Sequence, residues 1–478
     1  MATTDAETGT PPEVVLSPLS PGERVERGRA ARAATPRSCH ADWAPASDRP
    51  DSIALLEEQG KTRVPELLPI RYGRMAATPF AFFRGGAYIM ASDLTNTPTT
   101  GLRVQLCGDA HLSNFGGFAS PERDMLFDLN DFDETLPGPW EWDVKRLAAS
   151  LDIAGRDRGF SVKQRRCIVM GAMAKYRETM QRLAEKGELA IWYERIDQAE
   201  INARFGTQAT ARQIKTFQKA VEKARRKDSM RAFTKLASTT DGKPKIISDP
   251  PLVVPIRDLV PDGEAGELQE TMRTILGVYK ASLPEDRVRL LDRYRFADIA
   301  RKVVGVGSVG TRAWVILMIG RDEGDPLFLQ AKEASRSVLE PFAGKGQFSN
   351  QGRRVVEGQR LMQSASDILL GWLRTTGLDG KRRDFYVRQL WDWKSSADVD
   401  TMLPSGMEMY AQLCGWTLAS AHARSGDSIA SSAYLGRGDT FDRALWEFAE
   451  RYADQNERDH RALLEAIESG RLEAVAGV

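Results

Sequence analysis

The residues best suited to chemistry lie between positions 108 and 133. A segment reading Gly-Asp-Ala-His-Leu-Ser-Asn spans residues 108–114, so Asp109 precedes Asn114 by five positions. At this spacing a loop can present a carboxylate and a metal-binding amide to the same phosphate group. Asp131 and Asp133 follow in an acidic turn after a short apolar run. Carboxylate and amide oxygens of this kind suit Mg²⁺ that is bound together with substrate phosphates.

Residues 108–114 also fit a structural turn or a hydrolase site. Asp and Asn are common turn formers, so an ordinary capped turn accounts for the segment. Gly-Asp-Ala-His also matches a segment of two-metal phosphoester hydrolases, but such sites need several histidine and carboxylate ligands. The histidines of this chain are few, which disfavours a hydrolase; they are His40, His111, His422 and His460. We predict that His111 orients the loop of a catalytic site and does not bind a metal.

A glycine-rich segment, Gly305-Val-Gly-Ser-Val-Gly310, is the second candidate site. The pattern is weak evidence in a chain with 40 glycines, and alone it fits an ordinary flexible hairpin. A dinucleotide-binding fold requires a helix after the glycines, whereas residues 311–316 read as a strand. A glycine loop between two strands can instead cover nucleotide phosphates with backbone N–H groups. The residues predicted to bind ATP in this way are Gly305, Gly307, Ser308 and Gly310.

Lys332 lies at the end of an apolar strand, where an unpaired lysine would be costly. We predict that it pairs with the nucleotide phosphates and is held by a glutamate from the following helix. Glu357 is the first candidate for this glutamate because its segment is clearly helical, and Glu340 is the second. A strand-end lysine whose ammonium group reaches water accounts for the position equally well.

Composition excludes several classes of protein. The 478 residues include 67 basic and 66 acidic side chains, which gives no overall attraction to nucleic acids or membranes. The four cysteines are widely spaced and indicate neither a disulfide framework nor a zinc site, so a reducing cytoplasm fits best. No apolar run approaches the roughly 18 residues that a membrane span needs.

The predicted elements give an α+β fold. Residues 1–52, rich in Ala, Pro, Thr and Arg, are expected to form a disordered leader. Residues 53–298 are predicted to form a mainly helical lobe that contains the catalytic loop and an insertion near 208–255. Residues 299–395 are predicted to form a small antiparallel β lobe, which includes one helix from about 351 to 375. Residues 396–478 are predicted to form helices that pack on the helical lobe.

Together these residues resemble the protein-kinase-like superfamily, nearest to the aminoglycoside and choline phosphotransferases. Residues 108–114 match the Gly-Asp-x-His-x-x-Asn loop of that branch, and residues 130–133 match its metal-binding turn. The resemblance implies a two-lobe fold that binds ATP and Mg²⁺, with Asp109 as the base or orienting carboxylate. It assigns Lys332 to the nucleotide phosphates, and it assigns the metal to Asn114, Asp131 and Asp133. In that superfamily the glycine-rich hairpin precedes the catalytic loop, so the reversed order here implies a circular permutation.

A fuller resemblance is to an uncharacterised bacterial family known as domain of unknown function 2252. The segments that carry it are residues 69–75, 82–85, 108–116 and 421–427. The last segment contains His422 and also fits a capping turn at the end of a helix. The resemblance implies a shared fold but no substrate.

The expected function is ATP- and Mg²⁺-dependent phosphoryl transfer to an unidentified hydroxyl-bearing substrate in the cytoplasm. One alternative is a nucleotide-binding or regulatory module without transfer activity, similar to a pseudokinase. The second alternative is a metal-dependent phosphoester hydrolase. Neither a membrane nor a nucleic acid is an expected partner.

Overall fold

The computed structural model describes residues 19–477, except residues 207–210, 241, 260–264, 304 and 378. Helices and antiparallel strands are interspersed along this part of the chain, so the mixed α and β class is confirmed. The first residues of the expected insertion, 208–210, lie outside the described residues. Within the described part, no helix combines the length and the apolar character needed to cross a membrane.

The first half of the chain is mainly helical, with short strands around the candidate catalytic loop. Its first helices and strands are α1 (Pro21–Ala34), α2 (Ser52–Gly60), α3 (Leu68–Ala76), α4 (Pro79–Gly85), α5 (Ala87–Leu94), β1 (Arg103–Leu106), β2 (Phe115–Ala119), β3 (Met125–Leu129) and β4 (Leu136–Pro139). The helices that follow are α6 (Trp140–Asp157), α7 (Val162–Ala184), α8 (Glu188–Trp192), α9 (Gln198–Phe205), α10 (Ala211–Arg225) and α11 (Ser229–Leu236).

The second half contains the longer strands and ends in helices. Its first elements are β5 (Ala237–Thr240), β6 (Lys243–Ile246), β7 (Val253–Pro255), α12 (Ala265–Lys280), α13 (Glu285–Leu291), β8 (Arg295–Lys302), β9 (Ala313–Ile319) and β10 (Pro326–Ala334). The remainder is α14 (Glu340–Ala343), α15 (Gln351–Met362), β11 (Gly371–Thr376), β12 (Arg382–Gln389), β13 (Ser395–Ser396), α16 (Pro404–Ser425), α17 (Ser428–Leu435) and α18 (Thr440–Glu468).

The prediction of a disordered leader over residues 1–52 is wrong for its later part, which contains helix α1. Helix α1 begins after Ser20, whose hydroxyl accepts a hydrogen bond from the backbone of Glu23 in a capping box. Gly28 lets α1 approach α17 closely, since a Cβ there would lie 2.2 Å from the carbonyl oxygen of Ala430. Composition alone missed this helix because docking on distant residues stabilises it. Residues 1–18 lie outside the described residues.

Helix α6 is buried along nearly its whole length because α7, α18 and β1 pack around it. Its apolar residues, among them Trp140 and Leu147, join the main hydrophobic core. Charged groups on such a helix need partners inside the protein. Asp143 and Arg146 find theirs in the segment that follows β1, which links the core to the candidate catalytic loop.

The largest sheet is antiparallel and has the strand order β11-β12-β10-β9-β8-β7. The predicted order of three consecutive strands around the glycine-rich segment is confirmed by β8, β9 and β10. Lys332 lies opposite Ala313 on β9 and Tyr386 on β12, so it is central in the sheet and buried. Its ammonium group therefore needs an acceptor inside the protein.

The helix expected from about 351 to 375 is wrong in its second half. Helix α15 ends at Met362, and residues 371–376 form the edge strand β11. The carboxylate of Asp128 accepts hydrogen bonds from the backbone N–H and the hydroxyl of Ser364, just beyond the helix end. Leu370 and Leu373 then pack in hydrophobic cores from strand or turn positions. Helical spacing of apolar residues did not reveal this tertiary contact.

Candidate functional site

A cavity of about 150 Å³ lies between the Asp109 loop (residues 107–114) and the glycine-rich loop (residues 305–310). Asp131 and Asp133 of the acidic turn (residues 128–133) also line it. The other predicted site residues in its wall are Asp109, His111, Asn114, Gly305, Gly307 and Ser308. The structure thus brings together two segments that are distant in sequence, and the Ser308 hydroxyl lies 3.4 Å from Asp133 although 175 positions separate them.

Asp143 fixes the start of the Asp109 loop. Its carboxylate accepts hydrogen bonds from the backbone N–H groups of Cys107 at 2.8 Å and Gly108 at 3.0 Å. The ring of His422 lies 3.3 Å from the same carboxylate through Nε2, and its Nδ1 is 2.9 Å from the Tyr176 hydroxyl. His422, for which a capping turn seemed a sufficient role, therefore supports the loop from α16. The sequence did carry a signal for this role, because His422 lies in segment 421–427, one of the segments that resemble domain of unknown function 2252.

The two carboxylate oxygens of Asp109 have different surroundings: one pairs with Arg146, and the other lies near His111. Oδ1 accepts a hydrogen bond from Nε of Arg146 at 2.8 Å and lies 2.7 Å from Nη2 of the same guanidinium group. Oδ2 lies 3.7 Å from Nε2 of His111. Burial raises the pKa of Asp109, and the Arg146 charge only partly offsets that rise. The second oxygen is therefore able to accept a hydrogen bond from a ligand in the cavity.

His111 is a neutral orienting residue in this geometry. Its Nδ1 accepts a hydrogen bond from the backbone N–H of Ser113 at 3.2 Å, which places the ring proton on Nε2, the atom nearest Asp109. Burial lowers the pKa of His111 well below its usual value, and the nearby charges of Arg84 and Arg146 lower it further. A neutral ring with its proton directed at Asp109 agrees with an orienting role.

Asn114 and Asp131 supply oxygens at the acidic side of the cavity. Nδ2 of Asn114 donates to the carbonyl oxygen of Asp109 at 2.8 Å, so the amide oxygen is left to face a ligand. Burial raises the pKa of Asp131, but the positive charges of Lys332, Arg388 and Lys394 outweigh this effect and lower it overall. Asp131 is therefore ionised at neutral pH, as a Mg²⁺ ligand must be.

Two side chains of the large sheet hold the carboxylate of Asp133. The ammonium group of Lys332 forms an ion pair with Oδ2, and the Tyr386 hydroxyl donates to Oδ1 at 2.8 Å. The Lys332 ammonium group also lies 3.9 Å from Oδ2 of Asp131. Burial lowers the pKa of Lys332, but the two carboxylates outweigh burial and raise it, so the lysine stays charged. These contacts join the sheet to the acidic turn.

The prediction that Glu357 holds Lys332 is wrong. The Glu357 carboxylate lies on α15, 3.9 Å from both Arg353 and Arg360. Glu340, the second candidate, accepts a hydrogen bond from Gly346 and lies 3.9 Å from Arg336. Both candidate glutamates lie within 25 residues after Lys332 in the chain. The acidic turn is far away in sequence but adjacent in space, and it supplies both carboxylates.

Asp128 serves structure at the base of the acidic turn. It is buried and accepts hydrogen bonds from Ser364, and also from its neighbour Leu129 at 2.9 Å. It does not belong to the cavity wall, unlike Asp131 and Asp133. We predict that Asp128 contributes less than Asp131 to metal binding, because it lies outside the cavity wall.

Three arginines, two of them on α3 and one between α2 and α3, hold the glycine-rich loop through its carbonyl oxygens. Arg71 donates to the carbonyl of Gly307 at 2.6 Å, and Arg74 donates to that of Gly305. Arg63 donates to the carbonyl of Val309. These arginines were not predicted from the sequence, because only acidic and amide side chains were considered as site residues near the loop. The signal was the segment 69–75, where two arginines three positions apart share one face of α3.

The oxygens in the cavity fit Mg²⁺ only if a ligand completes the coordination. Among the described residues, no group of three or more His, Cys, Asp or Glu side chains is arranged to hold a metal ion. Asp131 and the amide oxygen of Asn114 would supply part of the coordination of Mg²⁺. This ion usually keeps waters and shares phosphate oxygens with a substrate. The donor set therefore fits a magnesium–phosphate ligand better than a metal bound by the protein alone.

The fold and this cavity define a mixed α and β protein with a polar site between the Asp109 loop and the glycine-rich loop. The family described as "Uncharacterized protein conserved in bacteria (DUF2252)" matches residues 63–466, and the chain belongs to it. No curated protein and no solved structure matched the chain. The matched region begins at Arg63, so it includes the arginines that hold the glycine-rich loop.

Proposed function

We propose that the protein is a phosphotransferase that uses ATP and Mg²⁺ to phosphorylate a hydroxyl-bearing acceptor, on a circularly permuted kinase-like fold. The observation that carries this proposal is the meeting of the Asp109 loop, the acidic turn and the glycine-rich loop around one cavity. Lys332 links the large sheet to the acidic turn, because it pairs with Asp133 and approaches Asp131. Each part alone fits an ordinary structural role, but their convergence fits a phosphate site.

Asp131 and Asn114 would hold the magnesium ion of the nucleotide, with Asp133 as a further ligand. When bound, Mg²⁺ supplies charge neutralisation and orientation of the phosphate oxygens. Lys332 would contact the same phosphates, and the glycine-rich loop would cover them with backbone N–H groups. Catalysis would then consist mostly of positioning and electrostatic stabilisation.

Asp109 would orient the acceptor hydroxyl and take its proton. Arg146 fixes the carboxylate through Oδ1, which leaves Oδ2 as the acceptor of that hydrogen bond. The neutral His111 ring limits rotation of the carboxylate from the other side. A weakly basic, well-oriented carboxylate is sufficient for this chemistry because proton transfer is late in a loose transition state.

One observation favours a nucleotide-binding module without transfer activity. Lys332 and Tyr386 each hold one oxygen of Asp133, so this carboxylate is engaged within the protein and has fewer lone pairs left for a metal. A module that binds nucleotide without turnover tolerates a metal that is held by fewer protein ligands. The hydrolase alternative has less support, since His111 is the one histidine among the described residues of the cavity wall.

The deciding experiment compares ATP affinity with ATP turnover in the same variants. Affinity is measured by calorimetry with and without Mg²⁺, and turnover is measured with γ-labelled ATP and either water or a panel of hydroxyl compounds as acceptor. We expect Asp109→Asn to keep ATP affinity within about twofold and to lose transfer by about a hundredfold or more. We expect Lys332→Met to weaken ATP binding instead.

The outcomes separate the candidate functions. Wild-type protein that binds ATP with Mg²⁺ but turns it over no faster than Asp109→Asn, with every acceptor, is a binding module. Release of phosphate from simple phosphoesters without ATP would indicate a hydrolase. Wild-type protein that binds no nucleotide would refute both the transferase and the binding module.

A further inference from the structure

Arg84 lies between the two halves of the cavity, near the end of α4. Its neighbours on either side are bound to different halves. The carbonyl oxygen of Phe83 accepts a hydrogen bond at 2.8 Å from Arg146, the residue that also holds Asp109. The carbonyl oxygen of Gly85 accepts one at 3.0 Å from Arg71, the residue that also holds the glycine-rich loop. The backbone of Arg84 is therefore positioned from both sides.

The glycine-rich loop also touches Arg84 directly. A Cβ added to Gly307 would lie 3.0 Å from the carbonyl oxygen of Arg84, which is closer than side chains normally approach. Only a glycine allows the loop backbone to come this close without a shift. The distance between Arg84 and the phosphate-binding loop is thus set by backbone packing and not by a flexible side chain.

Arg84 lines the cavity, and its guanidinium group has no acceptor there. Its Nε atom is buried and has no hydrogen-bond partner, and within the described chain no carboxylate forms an ion pair with it. Nearby arginines such as Arg71 and Arg146 have several acceptors. Burial lowers the pKa of Arg84, while the charges of Asp109 and Asp400 partly oppose this. Burying a cation without an acceptor costs free energy unless a ligand supplies one.

We propose that Arg84 binds the phosphoryl group that is transferred and is a catalytic residue of the proposed reaction. This inference rests on the phosphotransferase function and deepens it. The planar guanidinium group presents several N–H donors, which suits the non-bridging oxygens on which charge is spread in the transition state. Its location between Asp109 and the glycine-rich loop is where the terminal phosphate and the acceptor would meet.

The chemical step balances without a covalent role for Arg84. The acceptor oxygen forms a bond to the terminal phosphorus, and the bond from that phosphorus to the bridging oxygen of ADP breaks, leaving its electron pair on ADP. The proton of the acceptor hydroxyl passes to Oδ2 of Asp109. Arg84 donates hydrogen bonds to the non-bridging oxygens throughout, and these bonds strengthen as charge develops there.

The test compares ATP with ADP, because only ATP carries the group that Arg84 is proposed to bind. Dissociation constants of both nucleotides with Mg²⁺ are measured by calorimetry for wild type, Arg84→Gln and Arg84→Lys. We expect Arg84→Gln to weaken ATP binding about tenfold or more and to change ADP binding less than twofold. Arg84→Lys keeps the charge but loses the planar donors, so its ATP affinity should lie between that of wild type and that of Arg84→Gln.

A control variant and the contrary results complete the experiment. Arg289→Gln removes an arginine of helix α13 that lies outside the cavity wall, pairs with Glu285 and is 77% exposed, so it should change neither affinity. Equal weakening of ATP and ADP, or no weakening of either, would overturn the role of Arg84 while the proposed function stands. A raised KM for the acceptor with unchanged ATP affinity would also overturn it. Wild-type protein that binds neither nucleotide would refute the proposed function and this inference with it.

Discussion

The two loops that meet at the cavity differ in which of their backbone groups bind the charged side chains that anchor them. In the Asp109 loop, side-chain acceptors bind the backbone N–H groups. Asp143 binds those of Cys107 and Gly108, and the Ser150 hydroxyl binds that of Leu112 at 3.1 Å. In the glycine-rich loop, arginine donors bind the backbone carbonyl oxygens.

The difference matches what each loop would present to a ligand. Anchoring through N–H groups fixes the Asp109 loop to the buried helix α6 and leaves its carboxylate as the group that faces the cavity. Anchoring through carbonyl oxygens uses none of the N–H groups of the glycine-rich loop, because arginine can only donate. Backbone N–H groups are what a phosphate requires. The two halves of the cavity are thus suited to a proton-accepting role and an anion-binding role.

The most damaging change should be the loss of Asp143, which anchors the Asp109 loop. Asp143→Ala leaves two buried backbone N–H groups and the ring of His422 without their acceptor. We expect the free energy of unfolding to fall by about 3–5 kcal/mol, measured by urea denaturation. Asp286→Asn, on the exposed helix α13, is the control for removing a carboxylate charge and should change stability by less than about 0.5 kcal/mol. A loss below about 1 kcal/mol for Asp143→Ala would show that the loop is anchored elsewhere.

Variants of Asp131 and Asp128 should distinguish a residue that binds the ligand from one that stabilises the acidic turn. We expect Asp131→Asn to reduce Mg²⁺-dependent ATP affinity by about a hundredfold, since a metal ligand loses its charge. Asp128→Asn should lower the melting temperature and leave that affinity within about threefold, because Asp128 bonds Ser364 away from the cavity. Calorimetry and thermal denaturation of both variants check this. The reverse pattern would assign the metal to Asp128.

Arg71 tests the anchoring of the glycine-rich loop. Arg71→Met retains much of the buried volume but removes the donors to the carbonyl oxygens of Gly307 and Gly85. We expect a loss of about 2–3 kcal/mol in the free energy of unfolding and weaker ATP binding. In contrast to Asp143→Ala, it should make the glycine-rich loop the first site of increased amide exchange. Increased exchange in the Asp109 loop first would contradict the separate anchoring of the two loops.

Gly310 tests how closely the glycine-rich loop must approach Arg63. Its φ is +89°, and a Cβ there would lie 3.0 Å from the side chain of Arg63. Gly159, with φ +67°, follows the end of α6 and would place a Cβ in open space. Both substitutions by alanine carry a backbone cost of about 1–2 kcal/mol. Gly310→Ala adds the close contact with Arg63, so it should be the more destabilising of the two in thermal denaturation. Equal losses would mean that Arg63 moves aside freely.

The smallest expected effect is a pH dependence that belongs to the Asp109 loop. Burial lowers the pKa of His111 in the folded protein, whereas the unfolded chain takes up a proton near pH 6.5. The unfolded state therefore binds more protons below that pH, and stability falls as the pH falls. Between pH 7.5 and 6.0 this one group should account for about 0.8 kcal/mol. The Asn side chain in His111→Asn can still accept a hydrogen bond from the backbone N–H of Ser113. In urea denaturation, the free energy of unfolding of this variant should therefore fall less than that of wild type over the same pH range, by about the same amount.

Local sequence patterns identified the short segments that line the cavity. The Asp109 loop, the acidic turn and the strands on both sides of the glycine-rich segment were identified from local patterns, and the structure places them around one cavity. Local patterns failed where a distant contact decides the outcome. Asp128 accepts hydrogen bonds just past the end of α15, and α1 exists where composition indicated disorder.

The sequence by itself determined the mixed α and β class, the residue types of the candidate site and the membership of its segments in one family. The tertiary structure alone decided the partner of Lys332, the role of His422 behind Asp143 and the position of Arg84 between the two loops. The physical reason is the range of the interactions. Strand alternation and turn formation depend on neighbouring residues. An ion pair between a central strand and a loop 199 positions away depends on how the whole chain packs.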